Sequence, residues 1–431
     1  NNKYAFFPST GLAWIISEEQ FMKSLTWISN MKFHTSYGLT GNSEIGTYNS
    51  LARTGAGTLL LDGKRAPYMY LSSLENPDLK WEKTGMWDVG LELGLFQNRV
   101  NIDLSFYNKK TINLLLDCPV PHSTGFRSQY KNIGSVKNQG LDLMITAYPI
   151  RSKSFSWQMS LNMNYNKNKI LHLGKNDEDI ELMGWVGGSE AILRVGESMG
   201  SFYGYRRYGV ITKEMQQTEK WSQQDVDNGL CSATQIGTSK YSVHQIGRPN
   251  RSAKKEIIGK GLPDWTGDFS NTFNYKGFDI TMDWQFVMGV QTMQQFYHPT
   301  YDRFGITNGL KNILYDAYDG TNPKTMEQMI RLCNSGHAGQ DTTIDSSWIC
   351  SGSYLRLNML QLGYTFSSDI CRNLGVHGLR VYISGNNLAL MTSSKFNGFD
   401  PESSSHGDQF GQNMTFYSYP RSRTYTFGVN V

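Results

Sequence analysis

Residues 97–116 read QNRVNIDLSFYNKKTINLLL. Val100, Ile102, Leu104 and Phe106 are apolar, while Asn101, Asp103, Ser105 and Tyr107 between them are polar. Strict alternation marks a β-strand, because successive side chains point to opposite faces of a sheet. Such a strand normally turns its apolar face to a protein core, so the fold is decided by what meets that face here. Two things govern the answer: how many such strands the chain holds, and whether any second layer could cover them.

The pattern recurs. Trp87, Val89, Leu91, Leu93 and Leu95 alternate with Asp88, Gly90 and Glu92, and Leu141, Leu143, Ile145 and Ala147 alternate with Asp142, Thr146 and Tyr148. Trp157, Met159, Leu161, Met163 and Tyr165 alternate with Gln158, Ser160, Asn162 and Asn164. Phe278, Ile280, Met282, Trp284 and Phe286 alternate with Asp279, Thr281, Asp283 and Gln285, and Tyr425, Phe427, Val429 and Val431 with Thr424, Thr426 and Asn430. Each run is about 10 residues, enough to cross a bilayer as a tilted strand. In residues 354–366, YLRLNMLQLGYTF, the phase slips: Leu355, Leu357 and Met359 share one parity, Leu362, Tyr364 and Phe366 the other. A β-bulge would explain the slip.

Strands are expected at roughly 4–16, 31–40, 80–95, 99–110, 134–149, 156–170, 264–275, 277–290, 353–366, 378–391 and 418–431, about eleven in all. Connections after alternate strands are short: FQN near 97, RSKS at 151–154 and KG at 276–277. Between them lie long polar excursions at roughly 41–79, 110–133, 171–263, 291–352 and 392–416. Short turns on one side and long loops on the other are the habit of outer-membrane β-barrels, with the long loops extracellular. Trp81, Trp157, Tyr165 and Tyr364 fall near strand ends, where interfacial girdles would sit. Single-chain bacterial barrels have even strand numbers, so eleven suggests part of a barrel.

Bulk properties agree without deciding. The chain has 431 residues, 39% hydrophobic and 18% charged, with a formal charge of +4 that gives little reason to expect nucleic acid. Aromatic content of 13%, with 43 Gly against 12 Pro, suits a large antiparallel β structure with many turns. No apolar run of about 18 residues is present, which excludes a conventional transmembrane helix. The opening NNKYAFFPSTG is already β-like rather than a signal peptide, so a leader has been removed or the chain is a piece of something longer. Cys118, Cys231, Cys333, Cys350 and Cys371 form no CxxC, which argues against a zinc or redox site; Cys333 and Cys350 bracket one loop and could pair.

Catalytic and metal motifs are weak. The run NDEDIE at 176–181 has the oxygen density for Ca²⁺ in an external loop but lacks EF-hand spacing and its Gly, so no cofactor is expected. Asp400 and Glu402 stand too close in sequence to read as a glycosidase pair. His122, His298 and His337 have no metal-ligand spacing, and GGSEAILRVG lacks the Lys-Ser/Thr ending of a phosphate loop. No nucleophile elbow is found, and no enzyme is expected.

Several blocks carry a specific resemblance. FFPSTGLAWIISEEQF, KFHTSYGLTGNSEIGTYN, NPDLKWEKTGMWDVGLELGLFQNRVNIDLSFYNKKTINLLL, STGFRSQYKNIGSVKNQGLDLMI, FSWQMSLNMNYNKNKI, GLPDWTGDFSNTFNYKGFDITM, SYLRLNMLQLGYTF, LRVYISGNNL, DPE and YPRSRTYTFGVNV follow one another over nearly the whole chain. In order and content they resemble the SusC/RagA group of TonB-dependent outer-membrane transporters. The resemblance implies an all-β, antiparallel transmembrane β-barrel of about 22 strands, of which residues 1–431 would be the C-terminal half. The plug domain, the N-terminal strands and the TonB box would lie outside this stretch, and Val431 stands one residue short of the terminal aromatic usual in the group. It implies location in the outer membrane of a Gram-negative bacterium, a SusD-like lipoprotein lid, energy from the TonB–ExbB–ExbD complex, and uptake of oligosaccharides or peptides. The excursions at 41–79, 171–263 and 291–352 would then be lid and ligand surfaces, and Trp185, Tyr203, Tyr205, Trp221, Tyr297 and Tyr301 would be candidates to stack on substrate.

With no helix or second sheet to cover the apolar faces, lipid is their most economical partner. Val100, Ile102, Ile280 and Trp284 are then expected to face lipid, and Asp103, Asn162, Asn164 and Asp283 to line a wet lumen in contact with plug or substrate. A secreted glycan-binding β-sandwich is the main alternative, and a barrel enzyme with a site in its loops is another. The sandwich requires the apolar faces to be buried by protein. The enzyme requires a clustered acid–base or Ser–His set at one rim.

Overall fold

The structure is a computed structural model that describes residues 5–42, 50–126, 128–174, 176–184, 189–242, 245–297, 300, 311, 343–405 and 410–431. Its backbone is an eleven-stranded antiparallel sheet: β1 (Ser9–Ile15), β2 (Ile28–Asn42), β3 (Glu82–Leu95), β4 (Val100–Pro119), β5 (Ser128–Arg151), β6 (Phe155–Leu173), β7 (Trp265–Tyr275), β8 (Phe278–Met288), β9 (Tyr354–Thr365), β10 (Arg380–Thr392) and β11 (Thr424–Asn430). Every strand pairs with its neighbours in chain order, and among the described residues β1 and β11 each have one paired edge. A meander of this kind needs only hairpin connections. The tightest joins β7 to β8, where Lys276 (φ 47°) and Gly277 (φ 91°) form a two-residue turn with both central residues left-handed.

Connections at one end of the sheet run over residues 16–27, 96–99, 152–154, 276–277 and 366–379; those at the other end are mostly far longer. The expected excursion at 110–133 is a correction. Most of it is strand, because β4 and β5 continue pairing up to Pro119 opposite Ser128. Alternation fails there because Asn113 takes a left-handed backbone (φ 56°) and the register shifts on both sides of Leu114. Beyond that bulge Leu114, Leu116 and Cys118 turn into a buried cluster with Val136, Ile170, Leu173 and Leu193. The bulge expected in residues 354–366 is present, with register shifts between Leu357 and Met359 against β10 and between Asp283 and Trp284 against β9. It moves Met359 to the polar face and returns Leu360, Leu362 and Tyr364 to the apolar one, opposite Met282, Ile280 and Phe278.

Among the described residues, no protein lies against much of the apolar face of the sheet. Phe106 is 42% exposed, Ile280 38% and Phe427 74%, with Phe33, Trp87, Leu104, Leu362, Ile383 and Tyr425 also exposed. Aromatic side chains pair across strands towards both ends of this face. At the short-turn end Trp157 stacks on Phe273 (5.6 Å between ring centroids) and Phe278 meets Tyr364 (4.5 Å); at the other, Tyr165 meets Trp265 (4.6 Å). Rings with apolar bodies and polar tips favour such boundary positions. No helix of the described residues is long and apolar enough to cross a membrane.

Above the long-loop end sits a layer of small sheets. Ile180–Met183, Ser189–Leu193, Ser201–Gly204 and Glu256–Lys260 form one, and Gln291–Gln294, Ile349–Ser351 and Met414–Thr415 another. A separate hairpin pairs Arg53–Leu61 with Lys64–Ser73. This layer holds the most deeply buried apolar side chains, including Phe202, Val210 and Met293 at 0% exposure.

Candidate functional site

The register fixes which polar side chains share a face. One row runs Lys32, Glu92, Asp103, Met144, Asn162, Asp268, Gln285 and Arg356 across β2 to β9. The next row towards the loops carries His34, Ser105, Asp142, Asn164 and Thr266, and the next towards the short turns carries Ser270 and Asp283. Thus Asp103, Asn162, Asn164 and Asp283, which alternation singled out one strand at a time, lie together on one polar surface. Asp88, Asp142, Asp268 and Ser270 belong to it as well. Their signal was the same alternation, but only the register shows that they are neighbours.

Amides and hydroxyls satisfy many of the carboxylates on this wall. Asn162 Nδ2 donates to Asp268 at 2.8 Å, Asn164 Nδ2 to Asp142 at 2.5 Å and Ser270 Oγ to Asp283 at 2.5 Å. Tyr107 Oη donates to Asn166 Oδ1 at 3.2 Å and lies over Gly140, where an added Cβ would stand 2.2 Å from that hydroxyl. Cations appear mainly at the margins: Lys32 pairs with Glu92 at 2.8 Å and Arg380 with Asp279 at 2.6 Å, while His34 sits 3.5 Å from Asp88. A cleft of about 410 Å³ is lined by Asp88, Asp103, Asp142, Asn162, Asn164 and Asp268, and no Lys or Arg lines it. The surface is therefore acidic and rich in fixed acceptors. It suits contact with cations, hydroxyls or amide N–H groups.

Arg356 ties this wall to the loop layer. It is 1% exposed; its Nη2 donates to Asp400 Oδ1 at 2.6 Å and its Nη1 to Asn387 Oδ1 at 2.8 Å, while Glu402 pairs with Arg421 at 2.9 Å. Asp400 and Glu402 thus hold the connection between β10 and β11 against the wall. In the loop layer buried Asp345 accepts from Arg251 Nε at 2.7 Å, and Gln295 donates to Glu190.

The described loop aromatics have separate surroundings. Tyr203 is half-buried between Arg194 (5.9 Å from the ring centroid) and Lys255 (5.5 Å). Trp221 carries Lys240 over its ring at 5.4 Å. Backbone bonds of Tyr205 join it to Ile344 and Ser346. Tyr297 is buried in the loop core, its hydroxyl accepting from Asn397 at 2.9 Å. Trp185 and Tyr301 lie outside the described residues, as do Cys333, His298 and His337. Cys350 is a free thiol, and burial pushes it up to about 12. The acidic run is tied down by its own surroundings: Arg194 pairs with Asp179 at 2.7 Å, and the Leu173 N–H, bonded to Asp177 at 2.8 Å, holds that carboxyl below its usual range. Among the described residues no group of three His, Cys, Asp or Glu could hold a metal.

Known proteins share this architecture over the whole chain. The model described as TonB dependent receptor-like, beta-barrel matches residues 1–388. TonB-dependent receptor P3 of Formosa agariphila is 31% identical over 441 aligned residues, covering all of this chain and 42% of the relative. TonB-dependent receptor SusC of Bacteroides thetaiotaomicron is 28% identical over 457, covering 40% of that relative. A solved structure of the RagAB peptide transporter superposes with a TM-score of 0.75 at 28% identity, over 99% of this chain and 43% of that one. The chain therefore spans about two fifths of the length of these relatives, which are receptors and transporters by name. With eleven meandering strands, one apolar face and one polar face, matched by that model over most of its length, the chain belongs to the β-barrel family of TonB-dependent receptors.

Proposed function

We propose that this chain is the C-terminal part of the barrel wall of a nutrient importer in the outer membrane of a Gram-negative bacterium. Upstream sequence would supply the remaining strands, the plug and the segment that engages TonB–ExbB–ExbD. The acidic wall around Asp103, Asn162, Asn164 and Asp283 would face the lumen and hold basic or hydroxyl-bearing groups of the plug or of the passing substrate. The cargo would be an oligosaccharide or a peptide, captured beneath a SusD-like lipoprotein resting on the loop layer. Tyr203, Tyr205 and Trp221, each half-buried in the loop layer, would offer their rings to the substrate, with Tyr297 holding the layer together. Movement of the plug, rather than bond chemistry, would do the work. The observation that carries this reading is the match of the whole chain to TonB-dependent receptors, joined to an apolar sheet face much of which no described residue covers.

The test uses the full-length protein that contains this chain, in cells lacking the native copy. Uptake of labelled oligosaccharides and labelled peptides is followed with and without a protonophore. Energy-dependent uptake of one class, with a lipoprotein co-purifying in stoichiometric amount, is the expected result. Uptake that ignores the protonophore, or a purified protein that stays soluble without detergent, would contradict it.

A further inference from the structure

The outward face carries one feature that transport does not explain. Above the apolar band, Lys110 of β4 stands directly opposite Lys137 of β5, which stands directly opposite Lys169 of β6. Lys167, opposite Gln139, lies one position lower on the same face, and Lys83 of β3, opposite Ile112, flanks the row. All five share the parity of Trp87, Phe106, Leu141 and Tyr165, the last residues of the apolar and aromatic zone below them. Four of the five are exposed and Lys137 is half-buried.

Like charges directly opposite on adjacent strands, with Cβ atoms about 5 Å apart, repel and destabilise the pair. Elsewhere this protein answers cations with anions, as in Lys32–Glu92, Arg194–Asp179 and Arg380–Asp279. Here the ladder sets no carboxylate opposite any of the five, and among the described residues none of them makes an ion pair. Height fits a boundary. From Val100 to Lys110 is ten residues of tilted strand, about 25 Å of barrel height, which matches the apolar band of an outer-membrane barrel. The row therefore stands at headgroup level on the long-loop side.

We propose that Lys110, Lys137 and Lys169, flanked by Lys83 and Lys167, bind the phosphate groups of an anionic lipid in the outer leaflet, whose acyl chains lie along Phe106, Leu141 and Tyr165. This rests on the barrel orientation given above, with the long loops outside the cell. A phosphate bridging neighbouring lysines removes their mutual repulsion and gains charge-assisted hydrogen bonds.

The experiment places the full-length protein in phosphatidylcholine nanodiscs doped with diphosphoryl lipid A or with a phosphate-free lipid of matched chains, and counts retained lipid by native mass spectrometry. Wild type should retain the diphosphoryl lipid selectively. K110Q/K137Q/K169Q should lose about a hundredfold in affinity, since each lysine near an anionic surface is worth about fivefold. The loop control K213Q/K220Q/K254Q should not change. Equal retention of both lipids by wild type, or equal loss in the control, would overturn the proposal, as would complete displacement by inorganic phosphate at equal phosphate concentration. If the triple variant does not assemble, wild type alone decides: its preference for the phosphorylated lipid must weaken as salt rises. Insertion without any preference would sink the site and leave the barrel standing.

Discussion

The sheet and the loop layer solve opposite problems with the same amino acids. In the loop layer Phe202, Val210 and Met293 are fully buried. On the sheet Phe106, Ile280 and Phe427 are exposed, and the polar side chains of the other face bond one another. One region hides its apolar groups from water as a soluble domain does. The other presents them outward, which is stable only where hydrocarbon replaces water. The difference teaches that the conventional core of this protein lies in its loops.

Truncations should separate the two regions most sharply. Phe202→Ala removes a side chain with no exposed surface and should cost the loop layer about 3–5 kcal/mol, read as faster proteolysis in residues 189–260. Phe427→Ala, on the outward face, should cost well under half of that by heat-induced unfolding in detergent. Comparable losses would erase the contrast. Arg356→Ala crosses the boundary between the regions. It strips buried Asp400 of its nearest cation, leaving only Arg421 at 3.9 Å, and should also cost about 3–5 kcal/mol, seen as protease access to residues 393–423 while the sheet persists.

Charge insertion gives a smaller but more pointed effect. Ile280→Lys should cost about 2–4 kcal/mol in membrane stability, and Asp283→Lys much less, because the first charge meets lipid and the second water. Equal costs would contradict the face assignment.

The smallest effect belongs to the loops. The Ser222 hydroxyl and backbone N–H, with Lys240 beyond them, hold the Asp225 carboxyl down at about 2. A carboxyl depressed on folding stabilises above its unfolded pKa, and that contribution disappears as pH falls through the folded value. The capping of Gln223–Asp227 by Ser222 should thus survive at pH 4 and fail near pH 2. The carboxyl carbon shift of Asp225 would report a midpoint near 2, against a normal carboxylate midpoint if the cap does not form.

Much of the sheet was legible because one apolar and one polar face impose a period of two on most of its strands. Runs such as 100–107 and 157–165 therefore announced both strand and face. Alternation stops being informative at the left-handed Asn113 and the register shifts beside it, so parity ends β4 and β5 near their bulge rather than at Pro119 and Ser128. The polar wall was half legible: Asp103 and Asp283 could be named, but their neighbours Asp142, Asp268 and Ser270 depend on register, which parity along one strand does not encode. The Lys110–Lys137–Lys169 row likewise depends on register. Aromatic content alone could not distinguish Tyr297, buried in the loop core, from a ring open to solvent, because the loop layer folds by contacts between distant segments such as 291–294 and 414–415.

The central claim is that lipid wets the apolar face of the sheet. Spin labels at positions 104 and 280, and at 103 and 283, in the full-length protein in bilayers test it most directly, through accessibility to oxygen against a water-soluble nickel chelate. The account predicts oxygen-dominated relaxation at 104 and 280 and chelate-dominated relaxation, or shielding from both by a plug, at 103 and 283. Shielding of 104 and 280 from oxygen would mean that protein covers that face, and the account would fail.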